Sequence, residues 1–291
     1  MPLSDHEWRE LENTAHRLRR LTLDTVAWAG SGHIGGSLSS TDVLTVLYHH
    51  VMNFSAEQMD DPDRDRFVLS KGHIGVGFAP VLADLGCFPL DWLTRYNHTG
   101  SPLGMHPDSN KVPGVEVATG SLGHGLSLAV GMAVAARLQG RDLGVYCLMG
   151  DGECNEGSVW EAAMSASHYR CGRLVAFVDR NHQMIDGPTE DIMSLEPFAQ
   201  KWEAFGWHTQ QLSGHDIPAI VAAIEAAHEV TDAPSMIILD TVKGEGIDFI
   251  EGDYTWHYGA FDAEKKAAAE AALDAHHERR LARISLTHRE G

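Results

Sequence analysis

The chain has 291 residues, 43% of them hydrophobic and 22% charged, the balance of a folded globular protein and not of a disordered tail. Its 41 acidic residues against 22 basic ones leave a formal net charge of −19, which repels phosphate backbones and anionic lipid and so sets aside nucleic acid and membrane as partners. Four cysteines without a CxxC pair exclude a zinc knuckle or a dithiol redox motif, and with no apolar signal core or spanning stretch in view the expected location is cytoplasmic.

In chain order, residues 4–28 have a helical pattern, with Trp8, Leu11, Ala15, Leu18 and Thr22 on one side, and residues 41–51 give a second helix after a Ser/Thr cap. A short strand follows at 66–70, then a helix at 76–85 and a small-residue-rich helix at 122–138. The clearest unit is a crossover: the apolar strand 144–149, a helix at 158–169 and the apolar strand 174–178. Residues 207–212, a helix at 217–227 and residues 236–239 extend the alternation, and residues 262–283 read as a terminal surface or interface helix. Buried parallel strands with crossover helices predict an α/β fold, a parallel sheet sandwiched between helices, with ligands at the carboxyl ends of the strands. With no repeat or linker, one domain over 1–291 is expected, ending in a helix at about 262–285.

The strongest local motif is MGDGECNEG at 149–157, placed between a strand and a helix. Asp151 stands between Gly150 and Gly152, where the backbone can approach a ligand closely. The next strand ends in DRNHQ, which puts Asn181 at the neighbouring edge. A carboxylate and a carboxamide oxygen on adjacent strand tips make a hard oxygen site of the kind Mg2+ shares with phosphate, so a magnesium diphosphate is the inferred ligand. A glycine-flanked Asp also occurs in ordinary turns, but strand, GDG, helix, strand and Asn in series is much rarer. The series resembles the thiamine diphosphate motif, in which the Asp, the Asn and the carbonyl two residues beyond hold the metal. By that resemblance the carbonyl is that of Gln183.

Four histidine loops narrow the family: SGHIGGS with His33, LSKGH with His73, LGMHPD with His106 and YTWHYGAF with His257. ATGSLGHGLSLAVGMA at 118–133 leads a glycine-rich loop into a helix N-terminus, a natural phosphate cradle. Together these segments closely resemble the N-terminal, diphosphate-binding half of transketolase, from about residue 11 to 261 and in the family's order. His49, His50, His276 and His277 fall on expected helices and match no such loop.

The resemblance implies transfer of a two-carbon ketol unit from a ketose (phosphate) to an aldose (phosphate), with thiamine diphosphate and Mg2+ (or Ca2+ or Mn2+) as cofactors. His33 and His257 would handle protons at substrate oxygens, and His73 and His106 would hold the ketol hydroxyl and the covalent intermediate. His73, Gly120, Ser121, Leu122, Gly150, Gly152, Glu153, Asn181, Lys243 and His257 would bind cofactor, and Asp151, Asn181 and Gln183 the metal. Glu156 matches an acidic residue at the family's subunit interface, or is a solvated helix-start Glu. Lys71 and Lys243 would offset anionic charge, or are ordinary solvated lysines. His124 replaces a Gln common in full-length relatives, with a ligand contact and a structural role both open.

In transketolases the carboxylic acid that activates the aminopyrimidine, its aromatic pocket and most sugar-phosphate arginines belong to a following domain, and the sequence given stops at Gly291. The expected partner is therefore a separate pyrimidine-binding (C-terminal) subunit in an α2β2 heterotetramer. The α subunit of a thiamine-dependent 2-oxo-acid dehydrogenase also carries GDG followed by Asn but lacks the four histidine loops together. A non-catalytic cofactor-binding or assembly protein is the remaining alternative, against which stand Asp151, Asn181 and the four histidines.

Overall fold

A computed structural model describes residues 3–287; the ends of the expected 1–291 domain, 1–2 and 288–291, lie outside the described residues. Helix α1 (Asp5–Ala29) starts with a capping box, in which Ser4 and Glu7 satisfy each other's backbone donors, and stops at Gly30, whose φ of 84° only glycine adopts cheaply. Short helices α2 (Ile34–Ser39) and α3 (Thr41–Val46) follow, the second running on into a wider turn, Leu47–Val51. The helix expected over 41–51 is thus an α-turn followed by a π-type turn, and α2 was not anticipated. Strand β1 (Arg66–Leu69) leads to α4 (Gly75–Asp84).

After a long connection come α5 (Gly125–Leu138), β2 (Val145–Gly150), α6 (Gly157–His168) and β3 (Leu174–Arg180). Helix α5 begins three residues later than the expected 122, because Gly123 takes a φ of 82° that breaks a helix. Then follow α7 (Thr189–Ile192), α8 (Phe198–Ala204), β4 (His208–Ser213), α9 (Ile217–His228), β5 (Ser235–Asp240) and α10 (Ala263–Thr287).

All five strands are parallel, in the order β1-β2-β3-β5-β4. Side-chain alternation divides the core into two layers. Phe67, Leu69, Tyr146, Leu148, Val175, Phe177, Ile237 and Leu239 face α1–α4, α9 and α10. Val68, Val145, Cys147, Met149, Ala176, Val178, Met236 and Ile238 face α5, α6 and α8. Covered on both faces, β2 and β3 are apolar up to their last residues, where β3 ends in the buried Asp179 and Arg180, whereas edge strand β4 (HTQQLS) is polar and half-exposed.

Helix α10 is not a free surface element. It lies along α1, buries Ala269, Leu273 and Ile284, and inserts Arg280 into a closed set of charges. Arg280 bonds Glu12 through Nε (2.5 Å) and Asp42 through a terminal nitrogen (3.1 Å), while Arg19 forks onto the same Asp42 at 2.6 and 3.1 Å. Burial alone would raise the Asp42 pKa, but Arg19 and Arg280 outweigh it and hold the carboxylate well below its ordinary value. Among the described residues no helix is long and apolar enough to cross a membrane.

Candidate active site

Four strands end at one cavity of about 390 Å3, and the fifth, edge strand β4, contributes nothing to its lining. Beyond β1 the chain delivers Lys71 and His73; beyond β2, Asp151; beyond β3, Asn181 and Gln183; beyond β5, Lys243 and, after a further turn, His257. His33, from the turn before α2, closes the far wall. This is the strand-tip placement expected of a parallel α/β sheet.

The rings of His33, His73 and His257 stand 5.1–5.3 Å apart, with His33 edge-on to both others. Burial comes first, and the Lys71 or Lys243 ammonium adds to it, in pushing all three toward the neutral form: His33 to about 4, His257 to about 3 and His73 well below its ordinary value. A neutral imidazole near pH 7 both donates and accepts. His33 Nδ1 is buried with no hydrogen-bond partner, as is Gln183 Oε1, so the cavity wall holds unspent polar capacity.

Lys71 and Lys243 are not solvated lysines: they are 2% and 1% exposed. Lys71 forms an ion pair with Asp179, which also accepts from Thr241, from Ser39 Oγ at 2.7 Å and from Asn181 Nδ2 at 3.0 Å. That last bond fixes the amide so that Asn181 Oδ1 faces away from Asp179. Lys243 donates to the Gln183 carbonyl at 3.2 Å and meets His257 Nδ1 at 3.1 Å. Burial, then Lys71, brings the Lys243 pKa down to about 8.

The Asp151 carboxylate is 2% exposed and accepts from Gly152 N (2.7 Å) on Oδ1 and from His182 N (2.8 Å) and Arg180 on Oδ2. Burial, then neighbouring Asp179, raises its pKa. Glu153 lines the cavity, but its carboxylate braces the loops, accepting from Gly123 N (2.8 Å), Gly150 N (3.0 Å) and the Ser70 hydroxyl. Gly35 is required where α2 passes the His257 loop: a Cβ there would stand 2.7 Å from the Trp256 carbonyl oxygen.

Residues 11–282 match the family model described as transketolase, thiamine diphosphate binding domain. The chain belongs to the transketolase family. It is 43% identical over 265 residues to the 6-deoxy-6-sulfo-D-fructose transketolase subunit of Clostridium sp. (strain MSTE9), covering 91% of this chain and 96% of that one. It is 43% identical over 251 residues to an apulose-4-phosphate transketolase subunit of Actinobacillus succinogenes, covering 86% and 90%. The transketolase structure from Campylobacter jejuni superposes with a TM-score of 0.85 at 30% identity, over 96% of this chain but 47% of that one. The transketolase-type parallel sheet expected from the sequence is the fold observed.

On this transketolase-family frame, His33, His73, His257, Lys243, Gly120, Leu122, Gly150, Asp151, Gly152, Glu153, Asn181 and Gln183 all line the one cavity. His106 and Ser121 do not: both are exposed, and His106 packs its ring against Gly120. His124 and Ser121 line a separate, adjoining hollow on α5, while Glu156 reaches the main cavity. Sequence reasoning missed Asp179 and Arg180, the two residues immediately before Asn181, and the apolar wall of Met184 and Ile185. A charged pair at the end of a fully buried strand was the available signal for the first two, because such charges must be answered inside the protein.

Proposed function

We propose that this chain is the N-terminal, diphosphate-binding subunit of a two-subunit transketolase that uses thiamine diphosphate and Mg2+ (or Ca2+ or Mn2+). The observation that carries this is the gathering of His33, His73 and His257 around Lys243, beside Asp151, Asn181 and Gln183, at four strand tips. The donor set fits the group. Among the described residues no three His, Cys, Asp or Glu side chains cluster to hold a metal alone, so an ion here would rely on one carboxylate, a carboxamide, a carbonyl and the ligand's own phosphate oxygens. The Gln183 carbonyl already takes a cation, the Lys243 ammonium.

In this assignment Asp151 Oδ1, Asn181 Oδ1 and the Gln183 carbonyl hold the metal, and Lys243, His73, His257, Gly152 and the Gly120–Leu122 loop face the diphosphate. Bound there, thiamine diphosphate supplies the nucleophilic carbon that carries a two-carbon ketol unit between sugars. His33 and His257, neutral at pH 7, accept and return protons at the substrate oxygens, and His73 orients the ketol hydroxyl. His106 reaches the substrate from the rim. A separate pyrimidine-binding subunit completes the site, as the subunit names of the two relatives suggest, and the assembly we propose is α2β2. Those names also favour a donor outside the ordinary pentose phosphates, a ketose with a sulfonate or phosphate at its distal end.

The test is ketol transfer from hydroxypyruvate and from a panel of ketose phosphates and sulfonates. Neither subunit by itself should be active, and the mixture should be. Full activity from this chain without its partner would overturn the division into two subunits, and an inactive mixture would overturn the transferase.

A further inference from the structure

The last residue of β3, Arg180, places its guanidinium directly behind the carboxylate assigned to the metal. It is 1% exposed, and its two terminal nitrogens reach four oxygens. One bonds Asp151 Oδ2 at 3.2 Å and Thr189 Oγ1 at 2.7 Å; the other bonds Glu190 at 2.7 Å and Glu196 at 3.1 Å. The ring of Phe198 lies 5.7 Å from the guanidinium carbon.

We propose that Arg180 is a positioning residue that commits Asp151 to binding its metal through one oxygen, and so biases the site toward Mg2+ over Ca2+; this rests on the metal assignment made above. An ionised carboxylate offers about four lone-pair sites. On Asp151, Oδ2 spends both of its own on Arg180 and the His182 N–H, and Oδ1 spends one on the Gly152 N–H. One lone pair remains, on the Oδ1 of a side chain that lines the cavity. Ca2+ sites gather six to eight oxygens and commonly take a carboxylate through both, whereas Mg2+ takes six at short, near-octahedral distances. One-oxygen coordination costs the larger ion more.

A guanidinium beside a cation site would by itself repel the cation. Here Glu190 and Glu196 answer it, so the trio carries one positive and two negative charges and leaves the approach to Asp151 attractive. Both glutamates belong to the segment after Gln183, the same segment whose Met184 and Ile185 wall the cavity. Arg180 therefore ties the metal carboxylate to the segment that walls the cavity.

The test is calorimetric titration of the chelator-stripped full chain mixed with its partner subunit, with saturating thiamine diphosphate, by Mg2+ and separately by Ca2+. Partners one step behind a metal ligand are worth about 10- to 100-fold in metal affinity. In Arg180→Met the Mg2+ to Ca2+ affinity ratio should fall about tenfold from wild type, chiefly through weaker Mg2+ binding. Equal weakening of both ions, or no change, would mean that Arg180 only supports the fold, and would overturn the proposal. If Arg180→Met does not fold, Arg180→Lys decides: one ammonium cannot hold Asp151 and both glutamates, so the ratio should fall severalfold, and an unchanged ratio overturns. Asp151→Ala separates the two claims: metal binding lost there with the ratio intact in the Arg180 variants sinks this inference alone, whereas metal binding that survives in Asp151→Ala, or is absent from wild type, sinks the metal assignment as well.

Discussion

The molecule holds two groups of buried charge, one between α1, α3 and α10 and one at the strand tips, and they are finished differently. In the first, Asp42 is answered by Arg19, Arg280 and His215, and Glu12 by Arg280 and the Trp8 indole. Its carboxylates have partners on both oxygens, and among Glu12, Arg19, Asp42 and Arg280 a single polar side-chain atom, Arg19 Nε, is left without one. At the strand tips Asp151 is also bonded on both oxygens, but its Oδ1 accepts a single N–H, His33 Nδ1 and Gln183 Oε1 have no partner, and Lys243 is held by the Gln183 carbonyl and His257 Nδ1. Buried polar groups are costly unless satisfied, so a site that leaves several unspent is holding them for something absent from the chain. The closed network serves the fold; the open one serves a ligand.

The comparison breaks most sharply at Asp151. Asp151→Ala should abolish magnesium-dependent retention of thiamine diphosphate, by a hundredfold or more (about 3 kcal/mol), while the chain still folds. Undiminished binding by calorimetry would return Asp151 to a structural role. Arg280→Met should do the reverse. Removing one member of a buried ion set costs about 3–5 kcal/mol, read from urea unfolding, and should leave cofactor affinity per folded molecule unchanged. A variant that kept full stability would show the closed network to be dispensable. His257→Ala should slow turnover by the subunit mixture about a hundredfold, as loss of a proton-handling group does, and weaken cofactor binding far less than it slows turnover. An unaffected rate would remove His257 from the chemistry.

Much of this was legible in the sequence because it depends on neighbours in the chain. The buried strands β2 and β3 read directly as GVYCLM and LVAFV, and GDG and Asn181 fall at their tips because strand ends fix them. Helix α2 did not read, since IGGSLS has weak helix propensity; its form is imposed by close approach to the Trp256 loop and to Lys71. Whether Lys71 and Lys243 face a ligand or solvent stayed open in the sequence because their burial depends on partners far along the chain: Asp179 lies 108 residues beyond Lys71, and Gln183 lies 60 before Lys243. The same reason hid Arg280, which in an alternating-charge helix looks like surface yet bonds Glu12 across 268 residues. Long-range charge pairing has no local signature, whereas hydrophobic periodicity does.

The smallest effect, and the one that compares the two regions in a single curve, is the acid response of the ligand-free chain. An unfolded histidine takes a proton near pH 6.5, but folded His33 and His257 resist until about 4 and about 3 because burial and the lysines disfavour their charged forms. Their contribution to stability is therefore complete above pH 6.5 and is lost progressively as the pH falls toward 4 and then 3. His16, stacked on His277 between α1 and α10 and brought to about 4 chiefly by burial, behaves alike in the closed region. The depressed carboxylates there, Asp42 and Glu245, lose their contribution only at lower pH, while the raised Asp151 and Glu153 act with opposite sign and offset part of the loss due to the histidines. His33 and His257 are only half-buried, so water screens the shift, and a fall in Tm of roughly 2–4 °C from about pH 6.5 to about 5 is expected. Saturating Mg2+ and thiamine diphosphate should flatten the part due to His33 and His257, because a bound anion favours their protonated forms. His16→Asn should remove the His16 share, with or without ligand, and leave the shares of the other histidines that burial lowers, His49, His73, His228 and His277. A ligand that removed the His16 component, or left the site component untouched, would contradict the division of the molecule into one closed and one open set of charges.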